Sequence, residues 1–141
     1  MQQKYLKTSE TLSFACAGFG RSMIYTLMST FLLIFYTDAA KLDPVHAGTV
    51  ILAARIFDAA NDPIMGIIVD KTKSKFGKLR PYLLFSPPLI LIATAALFYV
   101  PNCGYGGRLA YATVSYLMWG ICFTIQDVPF WGMSAVVSPL E

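Results

Sequence analysis

Arg21, Arg55, Asp58, Asp62 and Asp127 all lie inside long apolar runs. The densest group is Arg55-Ile56-Phe57-Asp58-Ala59-Ala60-Asn61-Asp62-Pro63. A charge inside a membrane-crossing helix costs a few kcal/mol or more, so it faces a partner helix or a watery cavity and marks an ion or substrate path. Arg55, Asp58 and Asp62 are spaced i, i+3, i+7, which is one helix face, and Asn61 borders it. Two arginines and three aspartates leave one negative charge uncompensated. A proton, a metal cation or a further helix must neutralise it, and the excess points to a site for a coupling cation. The other reading is structural: Arg55 with Asp58, or Arg21 with Asp127, as static ion pairs that only hold helices together.

Trp131 follows Asp127 by four residues on the same face. A ring beside a carboxylate is a way to hold a sugar, with the ring against CH groups and the carboxylate against hydroxyls. An interfacial aromatic anchor is the alternative. Trp119 is expected to pack, and His46 to sit at an interface. Pro63 follows Asp62, and Pro129 lies two after Asp127. Each frees a backbone carbonyl, of Ala59 and Ile125, which suits either a broken helix at a cation site or a simple kink. Pro87 and Pro88 read as a kink alone. No Ser/His/Asp set, metal-ligand spacing or phosphate loop is present, so an enzyme is not expected.

Elements long enough to carry these residues through a bilayer are at hand. The 141 residues are 56% hydrophobic and only 13% charged, too few charges to clothe a soluble domain of this size. The expected fold is an all-α membrane protein with four transmembrane helices over 11–36, 45–69, 82–100 and 109–137. Asp43-Pro44 supplies a helix cap and a proline at the first helical position. The first apolar run continues well past Ala15-Cys16-Ala17, longer than a signal peptide's core, so a retained helix is expected. Cys16, Cys103 and Cys122 have no metal spacing and read as small core residues.

The 70–81 connection carries Lys71, Lys73, Lys75, Lys78 and Arg80. With Lys4 and Lys7, that side holds seven basic residues against Lys41 and Arg108 on the other. The excess places the N-terminus and this loop in the cytoplasm. A basic run also serves nucleic-acid or lipid attraction, but between two spans it reads first as a topology signal. Counted from the outer ends, Arg21, Asp58, Asp62 and Asp127 fall within about 8 Å of one depth.

Several segments together resemble one family. They are Asp58-x-x-Asn61-Asp62-Pro63-Ile64-Met65-Gly66, Asp70-Lys71-Thr72-x-Ser74-Lys75-Phe76-Gly77-Lys78-x-Arg80-Pro81, and Asp127-Val128-Pro129-Phe130-Trp131. Gly18-Phe19-Gly20-Arg21 and Tyr36-Thr37-Asp38 add to the pattern. The chain resembles the glycoside–pentoside–hexuronide:cation symporters, the melibiose-carrier-like branch of the major facilitator superfamily. The resemblance implies the N-terminal part of a twelve-helix carrier working by alternating access. It implies cation binding at Asp58, Asn61, Asp62 and Thr124, with the two aspartates as metal ligands where the ion is Na⁺ or Li⁺. It implies Arg55 beside that site, and sugar binding by Asp127 and Trp131 with Arg21 and Ser22 alongside.

In galactoside-carrying members an acid occupies the place of Ser22, which leaves a pentoside, hexuronide or other glycoside open. The implied partners are a sugar, a coupling cation (H⁺, Na⁺ or Li⁺), membrane lipid and the remaining helices, with no nucleic acid and no cofactor. The implied location is the cell membrane. A carrier of a lipid-like solute and a truncated, non-transporting fragment are the alternatives.

Overall fold

The structure is a computed structural model that describes residues 8–75, 77 and 79–137, with the backbone alone for 135–137. Lys4, Lys7, Phe76 and Lys78 lie outside the described residues. Four helices follow one another: α1 (Thr8–Ile34), α2 (Pro44–Lys71), α3 (Arg80–Leu97) and α4 (Tyr105–Val137). A five-residue π-helical turn, Phe35–Ala39, extends α1. All four expected helices form, with shifted ends. α4 starts at Tyr105 rather than at 109, because Arg108 N–H already bonds Gly104 C=O at 3.0 Å and draws the Gly106-Gly107 pair into the first turn. α3 stops at Leu97, short of 100, where Phe98 leaves helical geometry ahead of Pro101.

Among the described residues, three segments are long and apolar enough to cross a membrane: Thr8–Ala39, Arg80–Leu97 and Tyr105–Ser134. The second helix, expected as a fourth such span, has the length at 28 residues but not the composition. Arg55, Asp58 and Asp62 dilute its apolar stretch. A helix of this kind needs protein on its charged face.

Asp43 caps α2 as its position suggests. Its backbone is extended, and its carboxylate accepts Val45 N–H at 2.9 Å. Pro63, Pro87, Pro88 and Pro129 all lie inside continuous helices. The chain is therefore not broken beside the acids, because neighbouring turns carry the helix across each missing donor.

α4 is the central post, packed by α2 on one side and α3 on the other. The tight core lies where the C-terminal ends of α1 and α3 meet the N-terminal halves of α2 and α4. Met28, Leu32, Tyr36, Ala47, Val50, Leu97, Tyr116 and Trp119 are buried together there. Polar staples fix this end. Arg108 donates from Nη1 to Ala40 C=O and from Nε to Cys103 C=O, both at 3.1 Å. Tyr105 Oη accepts Asp43 N–H and meets His46 Nδ1 at 2.7 Å. Trp119 Nε1 donates to Thr94 Oγ1 at 2.9 Å, so Trp119 packs, as its position suggests.

Toward the end that bears the basic loop, α1 and α3 part. A largely apolar cleft of about 970 Å³ opens between them over α4. Phe130 bridges part of this gap, stacked on Phe14 with ring centres 4.5 Å apart. Gly18 permits it: a Cβ there would meet the Phe130 ring at 3.0 Å.

Candidate functional site

α2 and α4 present the same spacing to each other. Arg55, Asp58 and Asp62 on α2, and Thr124, Asp127 and Trp131 on α4, each run i, i+3, i+7. α1 faces both with a polar stripe of Arg21, Ser22, Tyr25 and Thr26. The three stripes line one cavity of about 440 Å³, together with Phe123. Eight of the nine residues singled out in the sequence for binding or support are thereby brought together: Arg21, Ser22, Arg55, Asp58, Asp62, Thr124, Asp127 and Trp131. Asn61 is not among the lining residues. It is half-buried one position before Asp62, on the edge of the face rather than on it.

On the α1 side, Arg21 Nη1 pairs with Asp127 Oδ1. The guanidinium also lies over three rings, at 5.0 Å from Phe130, 5.4 Å from Trp131 and 5.7 Å from Phe123. A planar, weakly hydrated cation suits such a cage better than an ammonium group. Trp131 keeps 58% of its surface exposed, so ring area remains for a ligand.

On the α2 side, Thr124 Oγ1 donates to Asp62 Oδ1 at 3.0 Å and is itself buried. Asp58 rests against α4 at Gly120, where a Cβ would overlap its carboxylate, with Cγ at 3.3 Å. Glycine is what lets the second helix bring this acid to the fourth.

The two arginines differ. Arg21 is paired with an acid, as one of the sequence alternatives has it. Arg55 is not paired with Asp58 among the described residues. It donates from Nη1 to Tyr25 Oη, reaches Ser29 Oγ at 3.5 Å, and lies over the Tyr25 ring at 5.3 Å. Asp58 and Asp62 thus face the cavity with a hydroxyl donor and, among the described residues, no cation in direct contact, although the Arg55 charge still acts on Asp58 from nearby. Among the described residues no three His, Cys, Asp or Glu side chains converge as a metal site. Any ion here would rest on two carboxylates and a hydroxyl, a hard-oxygen set. Tyr25 and Phe123 were not singled out in the sequence. The signal for Tyr25 was available: it lies four residues after Arg21 on the polar stripe of an otherwise apolar helix.

Residues 13–140 match the family model described as MFS/sugar transport protein. The chain belongs to this family. The resemblance read from the motifs is borne out, and the family is one of transporters rather than enzymes. An uncharacterized symporter of Bacillus subtilis, YnaJ, is 37% identical over 135 residues, covering 96% of this chain and 29% of the relative. An isoprimeverose transporter of Lactiplantibacillus pentosus is 33% identical over 121 residues, covering 86% of this chain and 25% of the relative. A sodium-dependent lysophosphatidylcholine symporter of Gallus gallus is 28% identical over 134 residues, covering 94% of this chain and 25% of the relative. The chain spans less than a third of the length of these relatives. It is a multi-pass membrane protein of this transporter family.

Proposed function

We propose that the chain forms the first four helices of a sugar:cation symporter that works by alternating access. The coupling ion, H⁺, Na⁺ or Li⁺, binds at Asp58, Asp62 and Thr124, with Asn61 at the edge of the set. The sugar, a glycoside, pentoside or hexuronide, binds at Asp127 and Trp131 with Arg21 and Ser22 alongside. The observation that carries this reading is the shared cavity. An acid pair with no cation in direct contact and an acid–tryptophan pair line the same 440 Å³ space.

In such a space one ligand alters the affinity of the other, and the effect is reciprocal. A cation on Asp58 and Asp62 removes the repulsion between two carboxylates one turn apart. It also draws α2 toward Thr124 on α4, the helix that carries both sugar residues. Further helices of the full-length carrier would seat on the apolar cleft between α1 and α3. We assign the carrier to the cell membrane, with the basic loop and the N-terminus in the cytoplasm.

A second reading rests on the relative named as a lysophosphatidylcholine symporter. In that case an amphiphile rather than a sugar would occupy the cavity. One experiment separates the two. The full-length carrier in proteoliposomes is offered radiolabelled xylosides, glucuronides, isoprimeverose and lysophosphatidylcholine, each with and without an inward Na⁺, Li⁺ or proton gradient. The proposal expects gradient-stimulated uptake of at least one sugar. Stimulated uptake of the lysolipid alone selects the second reading.

A further inference from the structure

We propose that Tyr25 is a positioning residue for cation coupling: it holds the Arg55 guanidinium toward α1 and so keeps it out of direct contact with the Asp58 carboxylate. This rests on the reading of that pair as the cation site.

The observation is a mismatch between what Arg55 touches and what its own helix offers it. Asp58 lies three residues on, on the same face and within side-chain reach. A guanidinium on a carboxylate adds the attraction of opposite charges, which a neutral hydroxyl acceptor does not offer. Yet Arg55 turns the other way, across the helix interface, to the neutral hydroxyls of Tyr25 and Ser29. Tyr25 gives it two contacts at once, the phenol oxygen as acceptor and the ring face as a cation–π partner 5.3 Å away. The Tyr25 ring is itself set against Phe123, with centres 5.5 Å apart. The guanidinium is therefore held from α1 and kept out of direct contact with the acid on its own helix, though its charge still acts on Asp58.

Two consequences follow. The cavity keeps two carboxylates whose charge is open to an external cation. Tyr25 also joins the two halves of the site, because Phe123 carries Arg21 on one side and Tyr25 on the other. Movement of Arg21 when the sugar binds would reach the Arg55 grip through these two rings. Without the phenol hydroxyl, Arg55 loses its nearest acceptor, and Asp58 becomes the strongest one in reach. Arg55 then competes with the cation for the same carboxylate.

The test uses the full-length carrier, purified and reconstituted. The wild-type response is measured by titrating Na⁺, Li⁺ and protons against sugar uptake. Tyr25→Phe should raise the half-saturating concentration of the responding ion about tenfold. Adding Arg55→Gln should restore it, because the competitor is gone. A merely structural tyrosine would not be rescued by removing its partner. Where the double variant does not fold, Tyr25→Phe with Ser29→Ala should deepen the ion-affinity loss beyond that of Tyr25→Phe alone. An unchanged half-saturating concentration in Tyr25→Phe, or a loss that neither Arg55→Gln relieves nor Ser29→Ala deepens, overturns the inference. Asp62→Asn runs alongside. If it keeps full ion stimulation, the underlying reading of the cation site has failed instead.

Discussion

Replacing Thr124 with valine should weaken cation binding about tenfold to a hundredfold, while serine should restore it to within about threefold. The side chain is 3% exposed, and its hydroxyl points at Asp62 Oδ1 from 3.0 Å. Valine fills the same space with a methyl in place of the hydroxyl, so packing on α4 is largely kept. A hydrogen bond to a charged group is worth about 1.5–3 kcal/mol. At about 1.4 kcal/mol per tenfold, that range corresponds to the stated loss if the hydroxyl contributes to the occupied site. The sign is what discriminates. If the hydroxyl only glues α2 to α4, its loss leaves the free carboxylate less satisfied, and cation affinity stays the same or rises. If it helps to hold the ion, affinity falls. The assay is a titration of the responding ion against sugar binding to the full-length carrier, with thermal stability followed in parallel. Unchanged or tighter ion binding in Thr124→Val would refute the reasoning.

Further outcomes are expected elsewhere in the molecule. Trp131→Ala should weaken sugar binding by about 1–3 kcal/mol, the scale of a lost ring contact and its buried area, and Trp131→Phe much less; equal affinities for all three favour an interfacial anchor. Arg21→Lys should reduce sugar uptake severalfold even though charge is kept, because an ammonium loses the planar stack over three rings. Single cysteines at positions 75 and 106, on a background without Cys16, Cys103 and Cys122, should react differently with an impermeant thiol reagent in intact cells: 106 labelled, 75 protected. Trp119→Phe should lower thermal stability by removing the bond to Thr94, with a smaller effect on ion response than Thr124→Val, since Trp119 does not line the cavity and meets it only through its stack on Phe123.

The fold was legible because its signals are additive along the chain. Apolar runs of membrane length, Asp43-Pro44 at one helix start and charge in one connection sufficed for four helices with ends displaced by a few residues. The i, i+3, i+7 spacing of Arg55, Asp58 and Asp62 was legible as a face, and the structure turns that face to α4. Other features depend on distance across helices, which spacing along one helix does not encode. Arg55 offered Asp58 as an obvious partner, but the hydroxyls of Tyr25 and Ser29 lie on another helix. Gly120 has no local signature, and its role emerges only where Asp58 lies against it. Asn61 looked like a site residue from its neighbours in sequence, but one position of helical rotation takes it off the cavity lining. The prolines left a broken helix and a simple kink both open, and α2 and α4 run through them as continuous helices.

Asp62→Asn bears on whether the α2 acids hold the coupling cation in a space shared with the sugar. Asparagine keeps the shape and can still accept from Thr124, but it deletes one charge. In the full-length carrier, sugar affinity is measured with and without the responding ion, for wild type and Asp62→Asn. The account predicts that the ion raises sugar affinity in wild type and has no effect in the variant, which still binds some sugar. Full ion stimulation retained in Asp62→Asn would contradict it and leave Asp58 and Asp62 as groups that only hold α2 to α4.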